Sequence, residues 1–106
     1  MKRVLVSDPD GDVVSLLEAT LRRLGYEPVR DPREGPLPEV DAVVLEPGCR
    51  EGRSLLRRLG DAAPPVICFS IYPREAGLAP PGSAAYVVKP GSRVQLGAAL
   101  ATLFAA

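Results

Sequence analysis

Apolar runs that end abruptly in a polar side chain set the rhythm of this chain. Val4-Leu5-Val6 runs without interruption into Ser7, Asp8, Pro9 and Asp10. An unalternating run of this kind fits a strand buried on both faces, as in a parallel sheet covered by helices. Residues 41–46 (DAVVLE), 65–70 (PVICFS) and 85–89 (AYVVK) repeat the pattern, and 27–30 (EPVR) reads as a shorter strand. Between the strands the spacing becomes helical. Over 11–24, Val13, Leu16, Leu17, Leu21 and Leu24 fall on one stripe of a 3.6-residue period. Asp10 is placed to cap that helix at its start. Arg22 and Arg23 sit in its last turn, where cations favour the dipole, and Gly25 suits the position just past the end.

The later helices are shorter. Residues 53–59 present Leu55, Leu56 and Leu59 on one face, and Ser92 with Gln95 forms a capping box for a last helix striped by Leu96, Leu100, Leu103 and Phe104. Two connections do not read as helices of useful length. Residues 31–38 (DPREGPLP) hold three prolines and a glycine, and 73–82 (PREAGLAPPG) hold three prolines and two glycines. Proline removes backbone donors and imposes extended conformations on its neighbours. The second of these segments supports one helical turn around 74–78. The order β-α-β-loop-β-α-β-turn-β-α predicts a single α/β domain over residues 1–106. It is a doubly wound, five-stranded parallel sheet with right-handed crossovers and strand order 2-1-3-4-5, its second and fourth helices shortened or lost.

Composition narrows the chemistry. Thirteen basic residues balance thirteen acidic ones, which argues against a nucleic-acid or anionic-membrane binder, since those partners select a net positive face. No stretch has the length of a membrane helix and the N-terminus lacks a signal peptide's apolar segment, so a cytoplasmic location is expected. Histidine is absent, and Cys49 and Cys68 lack metal-ligand spacing. A zinc site and His-dependent acid–base catalysis are thereby excluded. Both thiols are expected to be reduced and structural.

In open parallel sheets the ligand lies outside the carboxyl ends of the strands. Those ends carry Asp8, Glu46, Ser70 and Lys89, from strands 1, 3, 4 and 5, with Asp10 adding a further carboxylate to an acidic pocket. Carboxylates, a hydroxyl and a lysine converging there would suit a phosphoryl group with a divalent cation. A flavin or nucleotide fits less well, because three carboxylates in residues 7–12 (SDPDGD) repel a phosphate that brings no cation.

Over essentially its whole length the chain resembles the receiver domain of bacterial two-component response regulators, a flavodoxin-like fold. RVLVSDPDGDVVSLLEATLRRLGYEPV resembles that family's first β-α-β segment, DAVVLE its phosphoacceptor strand and PPVICFS the strand ending in a hydroxyl. AYVVKP resembles the segment with the switch aromatic and the lysine. The resemblance puts Glu46 at the phosphoacceptor position and makes Ser70, Tyr86 and Lys89 the switch. It also implies a cis bond between Lys89 and Pro90, which proline makes accessible.

Two departures change what the resemblance implies. A typical receiver has two adjacent acidic residues after its first strand, which hold Mg²⁺ together with the phosphoacceptor aspartate. Here Asp8 is followed by Pro9, which offers no ligand, and Glu46 replaces the aspartate. Mg²⁺ demands near-octahedral oxygen geometry, so binding through Asp8 and Glu46 is expected to be weak or absent, and no cofactor is expected. The extra methylene of Glu46 places its carboxylate where the phosphoryl group would sit, within reach of Lys89 and Ser70. It carries one negative charge against roughly two for a phosphate. The expected function is therefore a stand-alone, non-enzymatic signalling module, independent of phosphorylation. It would act through a protein partner, a sensor kinase or a downstream effector, near Tyr86 and the last helix. The alternative is a phosphate-accepting receiver that uses Glu46 with Mg²⁺. Thin cover near 31–40 and 72–82 predicts an apolar patch, including Leu37 and Leu78, for a partner or a homodimer.

Overall fold

The computed structural model describes residues 1–61, 63–89 and 93–105. Five strands, β1 (Arg3–Ser7), β2 (Glu27–Arg30), β3 (Ala42–Leu45), β4 (Val66–Ser70) and β5 (Ala85–Val88), form one sheet. Its order is β2-β1-β3-β4-β5 and every pairing is parallel, as the alternating pattern predicts. Three α-helices, α1 (Gly11–Arg23), α2 (Arg50–Leu59) and α3 (Arg93–Leu103), and one 3-10 turn (Arg74–Ala76) connect the strands.

Successive strand side chains point to opposite faces, and the apolar runs serve both. Val4, Val6, Ala42, Val44, Ile67, Phe69 and Val87 pack beneath α1 and α3 with Val14, Leu17, Leu21, Leu96 and Leu100. Leu5, Val43, Leu45, Val66 and Cys68 face the other way, against Leu55 of α2. The first cluster is closed at its end by Phe104, whose ring lies 5.5 Å from that of Tyr26 in a tilted pair. Removing an apolar side chain the size of fully buried Leu55 from water contributes about 1.5–3 kcal/mol.

α1 starts and stops as its caps dictate. The Asp10 side chain accepts from the Asp12 N–H at 2.9 Å. At the other end Gly25 (φ 91°) donates to Arg22 O and Tyr26 donates to Leu21 O, the paired bonds of a Schellman stop. The buried stripe is rotated from the expected one: Val14, Leu17, Thr20 and Leu21 are buried, whereas Leu16 and Leu24 are about half exposed. Hydrophobicity alone could not place that stripe, because Thr20 sits inward and two leucines sit outward.

α2 begins at Arg50, three residues before the start expected from the leucines. Its cap is Cys49, whose Sγ accepts from Gly52 N and donates to Glu46 O, both at 3.2 Å. No helix lies between β2 and β3, and between β4 and β5 only the 3-10 turn remains, so the second and fourth helices are lost or reduced as the prolines predict. The first of these connections packs down. Asp31 is tied by an ion pair to Arg58 at 2.7 Å, and Leu37 and Val40 lie half-buried against the α2 side of the core. The expected apolar patch is therefore absent around Leu37. It persists further along, where Ile71, Tyr72 and Leu78 are exposed. The expected cis Lys89–Pro90 bond and the Ser92–Gln95 capping box lie outside the described residues, because Pro90 and Ser92 do.

Candidate functional site

The sheet brings Asp8, Glu46, Ser70 and Lys89 to one carboxyl edge. β1, β3 and β4 are adjacent, so the residues just past Ser7 and Leu45 and the last residue of β4 lie side by side. β5 places Lys89 beyond them, its backbone N–H donating to Ser70 O at 2.8 Å. Asp8 and Glu46 are 2 % and 3 % exposed, and Ser70 is fully buried. Carboxylates in such surroundings persist only when paired and hydrogen-bonded. Both are.

Asp8 uses each oxygen once. Oδ1 accepts from Asp10 N at 2.9 Å, and Oδ2 is 2.6 Å from the Lys89 ammonium. Glu46 turns inward. Its Oε1 accepts from Ile71 N at 3.1 Å and lies 3.7 Å from Lys89 Nζ, an ion pair rather than a direct hydrogen bond. Its Oε2 accepts from Gly48 N at 3.1 Å. The Lys89 ammonium also sits 5.3 Å above the Phe69 ring, whose negative face adds to its stabilisation. One ammonium thus bridges two buried carboxylates, and three backbone N–H dipoles supply the rest of the neutralisation.

Ser70 and Asp10 have different neighbours from those the strand ends imply. Ser70 Oγ accepts from Tyr72 N at 3.0 Å, and among the described residues no hydrogen bond joins it to Glu46. Asp10 is exposed and keeps its helix cap, so it does not enter the acidic pocket; only its backbone N–H reaches Asp8. Tyr86 is half-buried against the α2 side of the core, and its hydroxyl donates to Tyr72 O at 2.8 Å. The segment 71–72 is thus held from three sides, by Glu46, Ser70 and Tyr86.

Three contributors were not legible in the sequence. Gly48 and Ile71 act through backbone N–H groups, which no residue type announces. Gly52 lets α2 approach so closely that a Cβ there would overlap the Glu46 carbonyl oxygen and lie 2.8 Å from its carbon. Gly52 lies just before the helix read from the leucines at 53–59, so its helical position was not visible either. Near Cys49, burial pushes the thiol up, opposed by its hydrogen bond from the Gly52 backbone. Arg53 bonds to Gly48 O at 3.3 Å and Arg33 pairs loosely with Glu51 at 4.0 Å, so neither of these arginines is assigned to the pocket.

The donor set does not fit the Mg²⁺ that the resemblance implies. Both Asp8 oxygens and both Glu46 oxygens are engaged by ammonium or N–H donors, and Pro9 supplies no side-chain oxygen. Among the described residues no group of three or more His, Cys, Asp and Glu side chains is arranged to hold a metal ion.

No family model matches the sequence, and no curated protein matches it. Solved structures do. The response regulator receiver protein from Burkholderia phymatum superposes with a TM-score of 0.79 at 25 % identity, over 97 % of this chain and 94 % of that one. Response regulator TrrA from Thermotoga maritima, solved in complex with Mg²⁺–BeF, gives 0.77 at 26 % identity over 98 % and 100 %. A chain from the complex of histidine kinase ThkA with TrrA gives 0.76 at 21 % identity, over 98 % and 99 %. Over nearly its whole length, then, this chain shares the fold of the receiver domains of two-component response regulators.

Proposed function

We propose that this chain is a cytoplasmic, receiver-like signalling module that works without phosphorylation and without catalysis, through contact with a protein partner. One observation carries the reading. The Glu46 carboxylate is seated between the Gly48 and Ile71 N–H groups with the Lys89 ammonium beside it. Two N–H donors and a lysine converging from separate strands make an anion cradle, and the chain fills that cradle with its own side chain. Glu46 therefore supplies permanently the negative charge that a phosphoryl group at this edge would supply transiently, though one unit rather than about two. Its buried oxygens are also poorly placed as a nucleophile, since each is already oriented by a backbone N–H bond and a misplacement of about 1 Å can cost 10²-fold in rate.

The partner reading draws on the shared fold, including its likeness to a chain from a histidine kinase–response regulator complex. A sensor kinase or a downstream effector would meet the surface of Ile71, Tyr72 and Leu78, beside Tyr86. The experiment is incubation with Mg²⁺ and acetyl phosphate, followed by intact mass measurement. An unchanged mass is the expected result. A labile gain of one phosphoryl group, lost in Glu46→Gln, would overturn the reading in favour of a phosphate-accepting receiver.

A further inference from the structure

We infer that Lys89 is the resident cation of the carboxyl-edge pocket, that it stands in for the divalent ion, and that its ammonium is what keeps such ions out. The inference rests on the reading of Glu46 as a permanent occupant of the pocket, and it concerns metal rather than phosphate.

The geometry points this way on three counts. The ammonium lies 2.6 Å from Asp8 Oδ2 and 3.7 Å from Glu46 Oε1, so a single positive group serves both carboxylates. A divalent ion bound to either oxygen would lie against that ammonium, and Lys89 is held in place: its side chain is 12 % exposed, stacked over Phe69, with its backbone bonded to Ser70. Finally, Pro9 contributes no side-chain oxygen with which a metal could outbid the lysine. Mg²⁺ gives up its water reluctantly and repays that loss only with near-ideal oxygen geometry. A lysine fixed on the chain needs no octahedral oxygen set, and it loses its water on folding rather than on binding.

The converse follows from the same arrangement. Without the ammonium, Asp8 and Glu46 are two buried carboxylates that share no cation. Breaking a buried ion pair by removing one partner is strongly destabilising, and any cation that binds only the folded form then restores stability by mass action. Lys89→Met should therefore convert a metal-indifferent domain into a metal-responsive one.

The test combines thermal unfolding of the wild type, Lys89→Met and the double variant Asp8→Asn/Lys89→Met with nuclear magnetic resonance of the wild type in Mn²⁺. Mg²⁺ at about 10 mM, against NaCl of matched ionic strength, should leave the wild-type melting temperature unmoved, and Mn²⁺ should not selectively broaden the amides of Asp8, Asp10, Gly11, Asp12, Glu46 and Gly48. Lys89→Met should melt about 10 °C or more below the wild type and regain several degrees in Mg²⁺. The double variant should recover part of the loss and respond less to Mg²⁺. A wild-type Mg²⁺ shift, Mn²⁺ broadening at the pocket, or a Lys89→Met protein that ignores Mg²⁺ would each overturn the inference. If Lys89→Met does not fold, the wild-type Mn²⁺ measurement decides alone. Metal entry without a gain of phosphoryl mass would sink this inference and leave the proposed function standing; a gain of phosphoryl mass on Glu46 without metal entry would sink the proposed function and, with it, the reading of Glu46 on which this inference rests.

Discussion

Gly52→Ala is a substitution whose sign separates the structure from general expectation. Gly52 is the third residue of α2, and its φ is not among the positive values. By helix propensity alone, alanine there would stabilise by about 1 kcal/mol. The structure argues the opposite. A Cβ at this position overlaps the Glu46 carbonyl oxygen and comes within 2.8 Å of the carbonyl carbon. Both atoms are backbone, so no side-chain rotation relieves the overlap. Either the first turn of α2 or the end of β3 must retreat. That movement strains the Cys49 Sγ–Glu46 O and Gly52 N–Cys49 Sγ bonds, and it shifts the residue whose carboxylate holds Gly48 and Ile71. Overpacking costs about 1–3 kcal/mol, and weakening two or three hydrogen bonds adds about 0.5–1.5 kcal/mol each. Against the propensity gain, the net loss is about 1–6 kcal/mol, a fall in melting temperature of roughly 5–30 °C for a chain of this size.

The matching control is Gly97→Ala in α3, where a Cβ would meet only the Leu24 methyl groups, at an ordinary 3.5 Å. That variant should be neutral or stabilised by up to about 1 kcal/mol. Thermal and urea unfolding followed by circular dichroism give both numbers, and amide shifts at Glu46, Gly48, Ile71 and Tyr72 report whether the damage reaches the pocket. If Gly52→Ala melts at or above the wild type, the close approach of α2 to Glu46 is wrong, and the account of the pocket built on it fails.

Two further outcomes are expected. Tyr86→Phe removes the hydroxyl that donates to Tyr72 O while leaving the ring to pack; it should cost about 0.5–1.5 kcal/mol and speed hydrogen exchange at Ile71 and Tyr72, and unchanged exchange there would refute the latch. On the far edge of the sheet, the side-chain hydrogen bonds from Arg30 hold the Glu18 carboxyl below its usual range. A lowered folded value means stability present above the unfolded value, about 4.3, and lost as pH falls through the folded one. In Arg30→Gln the Glu18 titration midpoint, followed by carboxyl carbon shifts, should rise; a midpoint that stays put would refute the assignment.

How much of this was legible in the sequence follows from what each feature is made of. The strands were legible because β1, β3 and β4 are buried on both faces and therefore lack polar alternation. The lost second helix was legible because Pro32, Pro36 and Pro38 forbid it. The side chains at the strand ends were legible too, since topology alone collects them. The start of α2 was not, because its cap is a thiol rather than Ser, Thr, Asp or Asn. Nor was the direction of Ser70, whose short side chain finds Tyr72 N two residues on before it can span to Glu46. The exposure of Leu16 was hidden by a threonine that takes an inward position on the same helix.

These details bear on one structural problem. A connection of 73–82 with a single 3-10 turn, rich in proline and glycine, has little regular hydrogen bonding to order it. Its entry is ordered by the pocket instead. Ile71 N is bound by Glu46, Tyr72 N by Ser70, Tyr72 O by Tyr86, and Ser70 O by Lys89 N. Three of these four bonds depend on side chains at strand ends or in β5, and the first exists only because the carboxylate at position 46 is long enough to cross to β4. A glutamate there therefore does two things at once. It accepts from Gly48 N beside Lys89, and it ties the exposed Ile71–Tyr72 segment through Ile71 N, where no fourth helix is present. Shortening it to aspartate would draw the carboxylate back by about one C–C bond. Because a hydrogen bond weakens steeply once its donor and acceptor separate beyond about 3.2 Å, the tie to Ile71 would be the first lost. On the function proposed above, the glutamate and the reduced helix are one adaptation: a surface that is held rather than switched would need the first and could do without the second.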